Sequence, residues 1–237
     1  MNLSIIIPLY NEEALVLKTL EKLMGITFPS FVSAVQILVV DDASTDSSFK
    51  AVESWVNDKS NVSIIKHNKN MGKGAAVKTG VSNSLGDYIL IQDADLELNP
   101  EDIPSLLIAA NTLQVPFVNG SRYLPGVIRT QAGFKRYFAN KIFTLLTSVL
   151  VDVHLTDVAC GYKLIKRDFY NQLNLVENRF GFEAELIIKC ARIRKNWIAE
   201  VPVNYSPRNA GEGKKLNNFD GLKILKTILK YGLFRLR

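Results

Sequence analysis

Short apolar runs and helical segments alternate through the first 120 residues of the chain. Runs rich in β-branched residues predict buried strands at residues 3–9, 35–40, 62–65, 88–91 and 117–119. Helical periodicity predicts helices between them, at residues 12–24, 44–56, 73–85 and 100–112. Strands that are apolar on both faces are typical of parallel sheets covered by helices on each side. The sequence therefore predicts an α/β fold with a mostly parallel, Rossmann-like sheet and helices on both faces.

Two residues have the chemistry of helix caps. Ser44 stands at the predicted start of the second helix, and Asn99 precedes Pro100 at the start of the fourth. Serine and asparagine accept hydrogen bonds from the first free N–H groups of a helix, and proline suits the first turn. We therefore expect Ser44 and Asn99 to cap these helices.

The second half of the chain is less regular and ends in an amphipathic helix. We expect strands at residues 162–166 and 198–203, helices at 134–151, 182–194 and 220–236, and a polar, glycine-rich loop at 205–218. Four leucines of the last helix share one stripe: Leu222, Leu225, Leu229 and Leu233. Its lysines, at positions 223, 226 and 230, share another.

The positive charge is concentrated at the C-terminus. The chain of 237 residues carries a net charge of +6, and residues 208–237, with eight basic and two acidic residues, account for all of it. Nucleic-acid binders usually spread basic residues over a face of the fold, with aromatic residues among them. A basic segment on an otherwise neutral chain instead favours an anionic surface or an anionic substrate, and we expect no nucleic-acid partner.

Cysteine usage and hydropathy indicate a cytoplasmic location. Cys160 and Cys190 make no disulfide framework and suit a reducing compartment. The N-terminus shows neither a basic region nor a small-residue cleavage site. The longest suspicious apolar run covers only residues 142–151, whereas a membrane span needs about 20 residues.

Carboxylates follow three of the predicted strands at the point where each ends. They are Glu12 and Glu13, Asp41 and Asp42, and Asp93 and Asp95. The carboxyl ends of parallel strands meet at one edge of a sheet, so these carboxylates should lie close together. They repel one another unless a cation or hydrogen-bond donors compensate their negative charge. Asp93 and Asp95 are spaced to share one divalent ion, with Glu97 placed to join them, and hard oxygen ligands suit Mg²⁺ or Mn²⁺.

A glycine-rich segment follows the third strand. It comprises Asn70, Met71, Gly72, Lys73 and Gly74, and it opens a helix. Glycines at a helix start allow the backbone to approach a phosphate, and a helix N-terminus attracts anions. A tight turn with a closely packed helix start explains the same residues, so both interpretations stay open.

Two other α/β classes share parts of this pattern. A receiver-type signalling domain also has an Asp-Asp pair after a strand, but on its first strand, whereas here the pair follows the second. A Rossmann dehydrogenase has a glycine fingerprint, but on its first strand, and here Val77 stands at the third glycine position. Acetyl phosphate labelling and NADH titration test these two alternatives.

Taken in order, the motifs resemble a known enzyme family. Those of the first half are Pro8-x-Tyr10-Asn11-Glu12, Asp41-Asp42-x-Ser44-x-Asp46, Asn70-x-Gly72-Lys73-Gly74 and Asp93-Ala94-Asp95. They resemble family 2 glycosyltransferases of the GT-A fold. Those of the second half are Gly120-Ser121-Arg122, Thr156-Asp157-x-x-Cys160-Gly161-Tyr162-Lys163, Gly181-Phe182-Glu183-Ala184-Glu185 and Tyr205-x-x-Arg208. They resemble the polyprenyl- and dolichyl-phosphate mannosyl- and glucosyltransferases.

The resemblance implies a nucleotide diphosphate sugar as donor. It places four residues in the nucleoside pocket (Pro8, Tyr10, Glu12 and Asp42), and it places Lys73 near the nucleotide. Asp93 and Asp95 would hold the donor and a Mg²⁺ or Mn²⁺ ion, with Glu97 as a further ligand. Glu97 stands where mannosyltransferases of this group often have glutamine. The motifs leave open whether the donor is of the GDP-mannose or of the UDP-glucose type.

The resemblance also implies a polyprenyl or dolichyl monophosphate as acceptor, with inversion at the donor's anomeric centre. Arginine grips phosphate in a bidentate manner, and the basic candidates for this contact are Arg122, Arg136, Arg208 and Lys215. Asp157 would orient the acceptor or act as a base. The catalytic set is then Asp95, Asp157, Arg122 and Arg208. A family 2 glycosyltransferase with a non-lipid acceptor, and an inactive GT-A membrane adaptor, are the alternatives.

A lipid acceptor accounts for the apolar second half. The segment 134–151 and the lysine-bearing C-terminal helix suit a membrane interface, although core packing or a dimer face explains them too. We expect one GT-A domain over residues 1–237, with a nucleotide-sugar half (1–120), an acceptor half (121–219) and a basic amphipathic helix (220–237). The protein would be peripheral on the cytoplasmic face of a membrane, with a homodimer or a membrane-protein partner left open.

Overall fold

The computed structural model describes residues 1–126, 133–193, 197–208 and 218–234. Its strands are β1 (Asn2–Leu9), β2 (Ala34–Asp41), β3 (Val62–Lys66), β4 (Tyr88–Ile91), β5 (Phe117–Ser121), β6 (Lys163–Lys166) and β7 (Ile198–Pro202). The helices of the first half are α1 (Val16–Met24), α2 (Ser48–Val56), α3 (Lys73–Ser82) and α4 (Ile103–Leu113), the last preceded by a 3₁₀ turn at Pro100–Asp102. Those of the second half are α5 (Phe134–Val151), α6 (Arg167–Gln172), α7 (Phe182–Ile193) and α8 (Asn218–Leu233).

The strands form one seven-stranded sheet in the order β3-β2-β1-β4-β6-β5-β7. β6 pairs antiparallel with both of its neighbours, and the other strand pairs are parallel. The mostly parallel sheet is therefore confirmed. β6 comes from the second half of the sequence, yet it lies between β4 and β5. Because β6 runs antiparallel to β4 and β5, its first residue, Lys163, pairs with Ile91 and Asn119 near the carboxyl ends of those strands.

The core has two layers, one on each face of the sheet. Along β1, Leu3, Ile5 and Ile7 pack against the side that carries α1 and α4. Ile6 points the other way, into the cluster that includes residues of α3, α7 and α8. Successive side chains of a strand alternate between faces, so a strand that is apolar at every position must be covered twice. Helices on both faces of the sheet, as predicted, follow from this pattern.

Two predicted helix starts are wrong. α1 begins at Val16 rather than at residue 12, and α2 begins at Ser48 rather than at Ser44. Ser44 caps no helix: its hydroxyl accepts a hydrogen bond from the backbone N–H of Asn11 (3.0 Å) and so ties two loops of the sheet edge together. The cap predicted at Asn99 is confirmed, since its side chain accepts a hydrogen bond from the Glu101 N–H.

The two amphipathic helices α5 and α8 pack on each other and leave apolar side chains exposed. α8 buries Thr227, Ile228 and Tyr231. Most of the predicted leucine stripe faces outward instead, with Leu222 64% and Leu233 57% exposed. α5 exposes Phe134, Phe138, Leu145 and Val149 to a similar degree. Among the described helices, none combines the length and the apolar character that a membrane crossing requires.

Candidate active site

A cavity of about 450 Å³ opens at the carboxyl edge of the sheet. The ends of β1, β2, β4 and β5 meet there, together with the segment that follows β7. The predicted site residues that line it are Pro8, Tyr10, Glu12, Asp42, Lys73, Asp93, Asp95, Glu97, Arg122 and Arg208. The sheet thus brings into one cavity the residues that the motifs scatter over two hundred positions of the sequence.

Three predicted residues do not line this cavity. Asp157 is fully buried beneath it, Arg136 is exposed on α5, and Lys215 lies outside the described residues. Arg136 can reach a ligand only on the outer surface of α5. The roles of these residues stay predictions.

Asp42 anchors the glycine-rich loop on one wall of the cavity. Its Oδ1 accepts a hydrogen bond from the Met71 N–H (2.9 Å), and its Oδ2 accepts one from the Gly72 N–H (2.7 Å). Nδ1 of His67 lies 2.8 Å from the same Oδ1. Gly72 has a φ of +100° and sits against the backbone of Asn178, so a side chain there is excluded by both conformation and space. The loop is consequently held in one shape at the start of α3.

Lys73 lies between two carboxylates. Its Nζ is 2.6 Å from Asp93 Oδ1 and 2.6 Å from Glu183 Oε1. Burial alone lowers the pKa of a lysine, but here the two carboxylates outweigh burial, and the pKa of Lys73 is raised above its ordinary value. Glu183 also lines the cavity. The sequence motifs include this residue but predict no role for it.

Arg208 bridges the other carboxylates. Its Nη1 donates to Glu12 Oε2 (2.8 Å), and its Nη2 donates to Asp95 Oδ2 (2.8 Å) and Glu12 Oε1 (3.1 Å). The backbone N–H of Arg208 donates to Glu97 Oε1 (3.0 Å). Predicted as an acceptor-phosphate residue, Arg208 thus lies against the carboxylates predicted for the donor and the metal.

The surroundings of Asp95 raise the pKa of its carboxyl group. Burial is the largest cause that raises its pKa, to about 6, and the negative charges of Asp93 and Glu97 raise it further. The positive charge of Arg208 acts in the opposite direction. A cation bound beside this carboxylate would favour its charged form and so oppose the effects that raise its pKa.

The donor set fits a hard divalent cation that shares its shell with phosphate oxygens. Within the described ranges, no three His, Cys, Asp or Glu residues gather closely enough to hold a metal ion by themselves. Asp93 and Asp95 already have Lys73 and Arg208 as cationic partners. Mg²⁺ is commonly held by one or two carboxylates plus substrate phosphates, which is what Asp93 and Asp95 offer.

Arg122 also lines the cavity and is held by Asp157. Its Nε donates to Asp157 Oδ2 (2.7 Å), its Nη2 to Oδ1 (2.8 Å) and its backbone N–H to Oδ2 (3.0 Å). The guanidinium also lies 5.0 Å from the ring centre of Tyr205. Both oxygens of Asp157 are thus directed at Arg122.

Comparison with known proteins places the chain in a family. Residues 4–173 match the family described as Glycosyl transferase family 2. The undecaprenyl-phosphate mannosyltransferase of Micrococcus luteus is 28% identical over 239 residues, covering 98% of this chain and 95% of that protein. The dolichyl-phosphate beta-glucosyltransferase ALG5D of Trichomonas vaginalis is 30% identical over 245 residues, covering 98% of this chain and 73% of that protein.

A solved structure shares the fold at low sequence identity. It is glucosyl-3-phosphoglycerate synthase from Mycobacterium tuberculosis in complex with Mn²⁺, UDP-glucose and phosphoglyceric acid. The TM-score is 0.72 at 18% identity, with 98% of this chain and 79% of that chain covered. Another crystal structure of the same synthase contains Mg²⁺ and UDP.

Proposed function

Because the chain belongs to glycosyl transferase family 2 and is a glycosyltransferase of the GT-A fold, we propose that it moves a hexose from a nucleoside diphosphate sugar to a polyprenyl or dolichyl monophosphate. One observation carries this proposal: a single cavity is lined both by a cluster of carboxylates and by Arg122, whose guanidinium is held from below by the buried carboxylate of Asp157. The carboxylates suit a cation with a diphosphate, and the arginine suits a phosphate that arrives separately. The named relatives, with lipid-phosphate acceptors, support the same pairing.

On the donor side, Pro8, Tyr10, Glu12 and Asp42 would bind the nucleoside, with Lys73 at the adjoining start of α3. Asp93 and Asp95 would hold Mg²⁺ or Mn²⁺ against the diphosphate, with Glu97 as the further ligand that the resemblance implies. Such a cation neutralises the charge that develops on a departing diphosphate. Lys73 would keep the Asp93 carboxylate aligned through the ion pair at 2.6 Å.

On the acceptor side, Arg122 would grip the lipid phosphate. A phosphate monoester is already an anion near neutral pH, so the reaction needs charge neutralisation more than it needs a strong base. A phosphate oxygen forms the new bond to the anomeric carbon while the bond from that carbon to the diphosphate oxygen breaks. Attack from the face opposite the leaving group inverts the anomeric centre. Asp157 would act by fixing the direction of the Arg122 guanidinium.

The exposed apolar faces of α5 and α8 would lie on the membrane that carries the acceptor. Phe134 and Phe138 stack with ring centres 6.1 Å apart on the outer side of α5, next to Lys135 and Arg136. Apolar side chains beside basic ones are typical of helices that lie in the headgroup region of an anionic leaflet. We propose a peripheral location on the cytoplasmic face, where Arg136, and Lys215 beyond the described residues, would meet lipid headgroups or the acceptor phosphate.

Charges placed on this apolar face should weaken membrane binding. We expect the double variant Phe138→Asp/Leu145→Asp to lose at least about 100-fold in its partition onto vesicles with anionic lipids, since each buried apolar side chain contributes roughly 1.5–3 kcal/mol and 1.4 kcal/mol is about tenfold. Ile108→Asp, at a half-exposed position on α4, is the matched control and should bind as wild type does. Unchanged vesicle binding combined with a shift from dimer to monomer in sedimentation velocity would assign the face to a dimer instead.

Gly161 is expected to be indispensable for donor binding. A Cβ at this position would collide with Asp93 Oδ2 and approach Leu98 Cδ1 to 3.2 Å. Gly161→Ala should therefore push the Asp93 carboxylate out of place and lower the Mn²⁺-dependent affinity for nucleoside diphosphate by roughly tenfold or more. Isothermal titration calorimetry measures this affinity. Gly133→Ala, where a Cβ meets nothing within 4 Å, is the control, and equal affinities for the two variants would contradict the assigned position of Asp93.

A two-step experiment tests the proposed function. Thermal shifts with GDP-mannose, UDP-glucose and UDP-N-acetylglucosamine, each with Mn²⁺ and with EDTA, identify the donor. The sugar of that donor, radiolabelled, is then offered to a polyprenyl phosphate and to the free polyprenol of equal length. We expect a metal-dependent thermal shift and labelled lipid from the phosphate alone. A shift with no lipid product, or transfer to the alcohol as well, contradicts the proposed acceptor.

A further inference from the structure

Lys163 is a fully buried lysine in the middle of the sheet. Lysine is almost never fully buried unless its ammonium group is paired. Among the described residues, no carboxylate forms an ion pair with Lys163. Its Nζ instead donates to three oxygens: Asn119 Oδ1 (2.6 Å), the carbonyl of Cys160 (2.5 Å) and the carbonyl of Val158 (3.4 Å). The three donors of the ammonium are thus matched by three acceptors.

The acceptors of Lys163 belong to a network under the segment 156–161, which we call the β6 loop. Nδ2 of Asn119 donates to the backbone carbonyl of Asp157 (2.8 Å) and to Glu200 Oε1 (2.8 Å). Oε2 of Glu200 accepts hydrogen bonds from the N–H and the hydroxyl of Thr156, both at 2.7 Å. Lys163, Asn119 and Glu200 together hold the backbone of residues 156, 157, 158 and 160.

The β6 loop contacts two residues that line the cavity, Arg122 and Asp93. The side chain of Asp157 holds Arg122 through its two oxygens, and Gly161 lies against the Asp93 carboxylate. Because Asp157 has no contact with the cavity itself, the direction of the Arg122 guanidinium depends on where the loop places Asp157. A displacement of the loop by a fraction of an ångström moves the guanidinium by a similar amount.

We propose that Lys163 is a positioning residue for the acceptor phosphate, because its three hydrogen bonds fix the β6 loop and through Asp157 aim Arg122 at the cavity. This inference rests on the proposed function of Arg122. An apolar side chain would fill the space but leave two loop carbonyls and Asn119 Oδ1 without donors, and the loop would turn them toward water. Burial lowers the pKa of Lys163, while Cys160, Glu183 and Asp157 raise it.

A double-mutant cycle between Lys163 and Arg122 tests this inference. Lys163→Met keeps the length of the side chain and removes its donors. We expect kcat/KM for the polyprenyl phosphate to fall by roughly 10- to 100-fold, as for other displaced reacting groups. The Kd of the nucleoside diphosphate with Mn²⁺, measured by calorimetry, should rise by a clearly smaller factor than kcat/KM falls, since Lys73 still holds Asp93. Lys166→Met, exposed on the same strand, is the matched control and should behave as wild type.

The decisive comparison is with Arg122→Ala. If Lys163 acts through Arg122, then Lys163→Met/Arg122→Ala should have the same kcat/KM as Arg122→Ala within about twofold, because an arginine that is absent cannot be aimed. If the fold losses in kcat/KM from the two substitutions multiply in the double variant, the inference is overturned. An unchanged kcat/KM in Lys163→Met would overturn it as well. If that variant fails to fold, Glu200→Gln, which keeps one acceptor for Asn119, replaces it in the same cycle.

Failure of the proposed function has a different signature. The wild-type protein would then transfer nothing to the polyprenyl phosphate, whatever the state of Lys163. A wild-type protein that transfers normally, together with multiplying effects in the cycle, contradicts the role of Lys163 alone. The two hypotheses are therefore tested separately by the same set of proteins.

Discussion

Asp95→Asn is expected to abolish the metal-dependent part of donor binding while the fold survives. Asparagine keeps an oxygen for the hydrogen bond that Asp95 Oδ1 accepts from the Glu97 N–H (3.1 Å), so the local backbone has no reason to change. It removes the negative charge that a divalent ion requires. Residues that only support a metal ligand cost about 10- to 100-fold when lost, so a direct ligand should cost at least about 100-fold.

Calorimetry of nucleoside diphosphate binding with Mn²⁺ and with EDTA measures this effect. The wild-type protein should bind far more tightly with Mn²⁺, whereas Asp95→Asn should bind equally weakly under both conditions. Its melting temperature without metal should stay within a few degrees of wild type, because asparagine has the same shape and keeps an acceptor for the Glu97 N–H, and Arg208 keeps its ion pair with Glu12. Asp58→Asn, on the exposed turn after α2, controls for the loss of one charge. A Mn²⁺ dependence that persists in Asp95→Asn would remove the carboxylate cluster from the donor site.

The local pattern of the first half was sufficient to predict its strands. β4 has the predicted bounds, β1 and β3 differ from prediction by one residue at one end, β2 differs by one residue at each end, and β5 ends two residues later than predicted. Their nearly continuous apolar character indicates burial on both faces of the sheet, and this pattern can be read directly from the sequence. The position of β6 was not predictable in this way. Its insertion between β4 and β5 depends on pairing with residues more than forty positions away in sequence.

Helix starts at the sheet edge were wrong for a related reason. Ser44 has the chemistry of a cap, but its hydroxyl binds the Asn11 N–H from another loop instead. Asp46 shows the same competition, since its carboxylate accepts from Ser48 N–H (2.9 Å) and from Glu13 N–H (3.2 Å). Side chains at a crowded edge choose between local and distant donors, and sequence spacing reveals only the local ones.

The cavity was predictable to the extent that it follows from strand ends. Parallel strands deliver Glu12, Asp42 and Asp95 to one edge, so their convergence required no knowledge of distant pairing. The partners that fix them were not predictable. His67, Glu183 and Glu200 each contact a residue tens of positions away, and buried Lys163 looks like an ordinary charged residue in the sequence. The motif that contains Glu183 was the one signal available.

Arg208, whose predicted role at the acceptor phosphate stays a prediction, lies on the carboxylates of Glu12, Asp95 and Glu97. In the absence of donor, the guanidinium therefore supplies the positive charge that a divalent ion would supply. We expect Arg208→Ala to tighten Mn²⁺ binding to the donor-free protein by about tenfold, which corresponds to about 1.4 kcal/mol. The cause is the loss of a competing cation, together with renewed repulsion among carboxylates that a metal relieves.

Electron paramagnetic resonance of free Mn²⁺ measures this affinity without donor or turnover. Arg179→Ala is the matched control, because Arg179 lines the same cavity and the variant loses the same charge. A gain in affinity shared by both variants would reflect net charge alone, and a loss in Arg208→Ala would contradict the competition. Transfer to lipid phosphate should fall in Arg208→Ala although metal binds better. Opposite changes in these two quantities would agree with an arginine that competes with the cation for the carboxylates and also contributes to phosphate transfer, whereas a fall in both quantities would assign Arg208 to the integrity of the carboxylate cluster.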